Sequence, residues 1–462
     1  MTGGASRVHS EPGLSLPVLD RLAPRPPDGP VSTWVERHTA PGDIVADPFG
    51  RGGWVARAAL DHERRAVSLE IGPLQRMLAE IVLRPPDVRH LDAAVQGLAT
   101  ASHGRSSLKS WIEDLFATRC ASCGRTLVVD AFTWVPGDEA GASARPISKR
   151  YRCGVCRDQQ GGRESREAPL DADDLARAGS EIDHAAVRAG LLERFPPIDG
   201  APSLPAELLD LHSPRQLAAL AGILERIEGE LRAAPVLAVL RLALLHAILP
   251  ASRLATGHGR VATLRSVGGH VRHPAPGEWR ERNPWLAYEE AFRTVRGFVQ
   301  RLEGGATGPP PARLGEDLRS LGETVATAVL GLTAGAGSLL SAIDAAGGPN
   351  GAGAHVRLVI GQPPPRPTLD RIALAYHGTA WVLGREAAGL VPAEALAGSS
   401  LHPSWGRQAD AVRAALERIE PATSPDARAV LLLDDGPEPL VAAALGATAA
   451  GYRLLSARIA DP

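Results

Sequence analysis

The stretch Gly42-Asp43-Ile44-Val45-Ala46-Asp47-Pro48-Phe49-Gly50-Arg51-Gly52-Gly53-Trp54 constrains the fold of this chain more than any other. Ile44 to Ala46 is an apolar run short enough for a buried strand. The glycines that follow permit tight or positive-φ backbone, and Val55-Ala56-Arg57-Ala58-Ala59-Leu60 resumes with helical composition. A strand feeding a helix through such a turn aims the free N–H groups of the helix at whatever lies above it. A second strand, Ala66-Val67-Ser68-Leu69, ends in Glu70. That is roughly twenty residues past the turn, where nucleotide-type sites place an acid for ribose hydroxyls. The pattern predicts an α/β fold with a parallel sheet. It is not a clean G-x-G-x-x-G, so a tight turn that holds no ligand is also open.

Length and charge add bounds rather than identity. At 462 residues the chain has room for one elaborated domain or two to three smaller ones. Its formal charge of −2 points to no partner. Lys109 and Lys149 are the only lysines, so the basic side chains are almost all arginine, which suits bidentate phosphate contacts. A GC-biased coding sequence explains the same excess, since Ala, Gly and Pro are also abundant. Aromatic residues make up 4%, which argues against a surface of many base-stacking platforms. No apolar run reaches the ~18 residues that span a bilayer, and the N-terminus lacks a basic region followed by a hydrophobic one. The expectation is a cytoplasmic protein with no membrane partner.

In chain order, residues 1–30 read as an irregular tail rich in Pro, Gly and Ser. Val31 to Thr39 predicts a short helix, and Val88 to Leu91, after Pro85-Pro86, a third strand. Then come Cys120-Ala121-Ser122-Cys123 and Cys153-Gly154-Val155-Cys156, two C-x-x-C turns that contain every cysteine of the chain. Each turn brings two thiolates to one metal, and two turns complete a tetrahedron. Gly124 and Gly154 stand where such knuckles tolerate positive φ, and Thr126 to Trp134 and the approach through Tyr151 are strand-like. The reading is a zinc ribbon with structural zinc on Cys120, Cys123, Cys153 and Cys156; redox thiols or disulfides fit the spacing less well.

From about Leu170 to Leu302 the apolar spacing is helical, clearest over Gln216 to Arg232, Val236 to Leu249 and Trp285 to Leu302. Within it, Arg253, Arg260, Arg265, Arg272, Arg280 and Arg282, with Gly268-Gly269, predict a basic loop between helices suited to phosphates, or a solvated loop paired with acids elsewhere. His258, His270 and His273 read as hydrogen-bonding loop residues. Two Gly-, Ala- and Pro-rich linkers, Glu303 to Pro311 and Thr333 to Ala354, bracket what reads as one more helix. Beyond them His355 to Gly361 is strand-like and runs into Gln362-Pro363-Pro364-Pro365. A helix over Leu369 to Leu383, a strand over Ala427 to Asp434, a helix over Leu440 to Leu445 and a strand over Tyr452 to Ile459 complete the pattern.

Asp43 to Trp54 resembles the GD-x-V-x-DPF-x-G-x-G-T segment of S-adenosylmethionine-dependent DNA amino-methyltransferases, which methylate the exocyclic amino group of adenine or cytosine. Glu70, at the end of the next strand, matches the family's acid. Gln362 to Pro365 resembles its catalytic loop, (Asp/Asn/Ser)-Pro-Pro-aromatic. The resemblance covers about residues 31–92 and 355–459. It implies a doubly wound, Rossmann-like methyltransferase sheet interrupted by a zinc ribbon and a helical insertion. The implied parts are a tail (1–30), a cofactor half (31–110), the ribbon (111–170), a helical, target-recognising region (171–345) and a catalytic half (346–462). It also implies S-adenosylmethionine held by Asp47, Pro48, Phe49, Gly53 and Glu70, transfer at Gln362, Pro363, Pro364 and Pro365, and DNA as partner. The chain departs from the family at Arg51, where a glycine belongs, and at Gln362 and Pro365, where an acceptor and an aromatic belong. The expected activity is therefore DNA methylation, reduced or lost. The alternatives are an inactive scaffold that binds nucleic acid or protein, and a methyltransferase for RNA or a small molecule.

Overall fold

The computed structural model describes residues 16–22, 24–26, 28–137, 144–159, 166–178, 184–257, 260–272, 277–304, 312–315, 321, 327–332, 355–363, 368–398, 405–433 and 436–457. The chain forms two compact units: residues 1–86, 298–368 and 401–462 make the first, and residues 87–297 and 369–400 the second.

The first unit is built on a six-stranded sheet of β1 (Ile44–Gly50), β2 (Arg65–Glu70), β3 (Arg313–Gly315), β4 (Thr327–Leu332), β5 (Val356–Gly361) and β6 (Thr423–Leu431). Their order is β3-β4-β2-β1-β5-β6, and every pairing is parallel. Parallel strands need crossovers, which leave helices on the faces and bury the strands on both sides. Accordingly every residue of β1 is buried. Alternate residues serve opposite layers. Ile44, Ala46, Val67 and Val329 pack with Val412, Leu416 and Ile419 of the helix Trp405–Ile419. Val45, Ala66, Ala328 and Leu358 pack with Val35, Val55, Ala59 and Leu83, from the helices Asp28–His38, Trp54–Asp61 and Pro73–Leu83.

Several expectations are corrected here. Val88 to Leu91 is no strand: Asp87 caps the helix Val88–Thr100, its side chain accepting from the Arg89 amide. The segment read as one more helix between the two linkers supplies β4, so two strands of the sheet come from inside the region expected to be helical. Tyr452 to Ala457 joins no strand, and Arg458 and Ile459 lie outside the described residues.

The second unit combines helices with a small antiparallel sheet. The helix Ala234–Ile248 is apolar apart from Arg241 and His246, and most of it is buried. The strands Trp279–Arg282, Thr126–Val135, Arg145–Tyr151 and Arg166–Pro169 lie side by side in that order, and Ala117–Arg119 pairs with the start of Thr126–Val135. One face of this sheet carries two buried ionic groups. Lys149, 1% exposed, donates to Thr118 Oγ1 (2.8 Å), Asp171 (2.9 Å) and Asp174 (2.5 Å). Glu281, fully buried, accepts from Arg215 Nε (2.7 Å), Trp134 Nε1 (2.7 Å) and the Ser213 hydroxyl. Among the described residues, no helix is long and apolar enough to cross a membrane.

Candidate functional site

From β1 the chain goes to β2, then to the edge strand β3 and back to β4 beside β2, and only then crosses to place β5 on the other side of β1. The strand order reverses between β1 and β5, and in open parallel sheets ligands bind beyond the carboxyl ends of the strands at such a point. Both motifs read from the sequence meet there. The Asp47 carboxylate lies against Gly361, since a Cβ on that glycine would come within 2.4 Å of Asp47 Oδ1. Arg51 Nη2 donates to the Pro363 carbonyl at 2.5 Å. Pro48 sits where the β1–β2 ladder becomes irregular, between Asp47 and Gly50, as a residue without an N–H requires. Gln362 is half-buried and Pro363 buried; Pro364 and Pro365 lie outside the described residues.

The glycine turn is closed from within. Glu70, fully buried, accepts from the Gly52 amide (2.6 Å), the Gly53 amide (3.0 Å) and the Ser68 hydroxyl (2.8 Å). Gly50 must be glycine, because a Cβ there would stand 2.6 Å from Glu70 Oε1. Gly53 must be glycine for a different reason: it opens the helix with φ 74°. Asp47 Oδ1 accepts from the Phe49 amide at 2.9 Å. Burial pushes Glu70 up to about 7, against the pull of the Gly52 amide, the Ser68 hydroxyl, the Gly53 amide and Arg76. Burial and the charge of Glu70 push Asp47 up to about 8, with the Phe49 amide and Arg51 pulling the other way.

These residues do not fit S-adenosylmethionine in the way the resemblance places it. Glu70 spends its carboxylate on the turn's own amides rather than facing ribose hydroxyls. Arg51, 2% exposed, lies across the gap between the two loops. A sequence pattern locates an acid at the end of a strand, but it carries no information on which donors that acid will meet.

The four cysteines do come together. Cys120 and Cys156 Sγ are 3.8 Å apart, Cys123 and Cys153 Sγ 3.7 Å, and all four sulfurs lie within 4.8 Å of one another. Bonds of ~2.3 Å in a tetrahedron put sulfurs ~3.8 Å apart, so the cluster fits a single metal such as zinc. The Tyr151 hydroxyl donates to Cys120 Sγ at 3.7 Å and accepts from the Ala121 amide at 3.0 Å, which orients the first knuckle. Gly124 has φ 69° as the knuckle requires, whereas Gly154 has no positive φ and begins the short helix Gly154–Gln159.

The basic segment is not one loop between helices. Arg265–Val267 and His270–Arg272 form a hairpin turned by Gly268-Gly269, and His270 Nδ1 and the Val271 amide donate to Glu207 at 2.7 and 2.8 Å. His258 and His273 lie outside the described residues. Arg253, Arg260, Arg265 and Arg272 are exposed, with Arg265 3.8 Å from Asp370 and the Arg253 guanidinium 5.6 Å from the Trp279 ring. Arg280 and Arg282 belong to the ribbon sheet. The register pairs Arg282 with Ala131 and Ala131 with Arg150, so these arginines share one face. Arg282 donates to Glu290 (2.6 Å), and Arg152 pairs with Asp130 (3.3 Å) at the same sheet. Sequence reading missed Arg150 and Arg152, because only antiparallel pairing brings them beside residues 130 positions later. Set against protein-family models, curated proteins and solved structures, the chain matches none.

Proposed function

We propose that the chain is a DNA amino-methyltransferase-like protein on a Rossmann-like sheet, whose S-adenosylmethionine crevice is closed by its own side chains, and that it works as a nucleic-acid-binding scaffold. The observation that carries this reading is the Arg51 guanidinium, buried at the strand-order reversal and bonded to the Pro363 carbonyl. The arginines on the outer face of the ribbon, with Arg253, Arg260, Arg265 and Arg272, supply the phosphate contacts. Such contacts release counterions whichever bases are present, so the binding has little sequence preference.

A second reading, a slow DNA methyltransferase, is favoured by one observation: the Asp47 turn and the Gln362 loop lie side by side beyond β1 and β5. The two readings part in a methyl-transfer assay on mixed genomic DNA combined with duplex-binding titrations in rising salt. The scaffold reading expects no transfer above background. It expects affinity that falls with salt, and an Arg150→Ala/Arg282→Ala variant whose log–log salt slope is shallower by about 2, at ~0.9 per phosphate contact. Salt-independent binding would remove the nucleic-acid role. Wild-type turnover that disappears in Gln362→Ala would establish the transferase instead.

A further inference from the structure

The second unit is made of two stretches, residues 87–297 and 369–400, and between them the chain serves the first unit. The later stretch enters as the helix Leu369–Leu383, most of which is buried. Two of its bonds to the earlier stretch involve groups that do not titrate in mild acid: the Tyr376 hydroxyl donates to the Pro196 carbonyl at 2.5 Å, and Arg194 Nε to the Ala380 carbonyl at 3.0 Å. A third contact does titrate. The His377 ring of the helix lies 6.2 Å from the His212 ring of the earlier stretch, centre to centre. Trp381, one turn on, is 5.6 Å from His212 and 6.4 Å from His377. Both histidines are inside, His212 at 4% and His377 at 1% exposure.

Such a pair packs well only while it is uncharged. His212 Nδ1 stands 2.7 Å from the Ala251 carbonyl, which can only accept, so Nδ1 carries the proton and Nε2 is bare. That Nε2 has no hydrogen-bond partner among the described residues, and neither has either nitrogen of His377. A second proton on either ring would bury a charge with no acceptor for it. The elements packed most closely on this helix bring no acid to the pair. Ala234–Ile248 carries Arg241 and His246, Arg265–Val267 carries Arg265, Arg385–Ala388 carries Arg385 and Glu386, and Ala393–Ala397 carries Glu394. Both glutamates are exposed, the His246 ring is bonded to the Leu242 carbonyl, and Arg194 pairs with Glu228 at 2.9 Å. Burial pushes His212 down to about 4, against the pull of the Ala251 carbonyl and with Arg253 adding to it. Burial and then the charge of His212 push His377 down to about 3.

We propose that His212 and His377 form an acid-sensitive latch between the two stretches of the second unit: the neutral rings let the helix Leu369–Leu383 pack on the earlier stretch, and protonation releases it. In a released chain a histidine takes up its proton near pH 6.5, whereas the packed pair resists until well below that. The released state therefore binds more protons. The latch is at full strength above about pH 6.5 and weakens as pH falls from there toward the folded values, by about tenfold per pH unit for each ring that is charged only when released.

Hydrogen exchange of the full chain tests this, read at the amides of Leu369–Leu383 and corrected for the intrinsic pH dependence of exchange. Protection should be level above about pH 7 and should fall below about pH 6 by up to a hundredfold per pH unit, as two rings titrate together. His377→Leu and His212→Asn each remove one titrating ring, and each should cut that slope to about tenfold per unit. Asparagine keeps a donor for the Ala251 carbonyl, and the slope can be read whatever stability a variant has lost, so either variant decides the matter if the other does not fold. Ring resonances of the packed wild type should show both histidines still neutral at about pH 5.5. Protection that stays level down to about pH 5, a loss confined to below about pH 4 where carboxylates take up protons, or a wild-type slope retained in the variants would overturn the proposal.

Discussion

Stripping metal from the four-cysteine cluster should unfold the ribbon, about residues 117–169, while the parallel sheet keeps its melting transition. Among the described residues, Tyr151, Ala168 and the partly buried Leu127 pack around the cysteines. Burial pushes the Cys156 thiol up to about 12, with hydrogen bonds to Cys123, Cys120 and Cys153 and the charge of Cys120 adding to it. Four thiolates crowded together need a cation between them. Structural zinc is worth about 10–16 kcal/mol of apparent binding free energy in zinc-finger peptides, and that energy becomes folding energy. Gently purified protein should contain one zinc per chain. Chelation or Cys153→Ser should release it and expose the amides of Thr126–Val135 and Arg145–Tyr151 to hydrogen exchange, with those of β1 and β2 still protected. Protein without zinc whose ribbon amides are already protected would contradict this.

The second large effect is expected at Lys149. Its ammonium is inside the unit, bonded to Thr118, Asp171 and Asp174, and Thr118 Oγ1 in turn donates to Asp174 at 2.6 Å. Burial opposes the charge, but hydrogen bonds and charges from Asp174 and Asp171 outweigh it, and the pKa is raised. Lys149→Ala leaves the Asp174 side chain, with 0% exposure, without its cation. Breaking a buried pair from one side costs roughly 3–5 kcal/mol. Equilibrium denaturation of the second unit, followed by tryptophan fluorescence, should read that loss. Lys149→Met combined with Asp174→Leu should recover most of it, since apolar replacements of both partners are often close to neutral. A loss below about 1 kcal/mol in the single variant would mean the group is weakly held, as surface pairs are.

Legibility in the sequence followed the strength of local signals. The strand, glycine turn and helix from Ile44 to Leu60 were readable because each needs residues the others exclude, and the C-x-x-C pairs because their spacing has few other uses. Val88 to Leu91 misled as a short apolar run. Asp87 before it was the cue, an N-cap acid that a strand does not need. β4 was hidden by its setting: Thr327 to Leu332 is six residues long and stands among glycine- and alanine-rich segments that read as linker. What Glu70 and Arg51 do could not be read at all, since their roles depend on amides and carbonyls brought to them by other strands. The arginine face of the ribbon is likewise a product of register, not of sequence proximity.

Titration calorimetry with S-adenosylmethionine reads whether Arg51 and Glu70 close the crevice to the cofactor. Wild type should give no heat of binding, and Arg51→Gly should gain a saturable one. Wild-type binding that Glu70→Ala weakens by roughly 1–3 kcal/mol, the scale of hydrogen bonds to a charged group, would contradict the account and return Glu70 to the ribose.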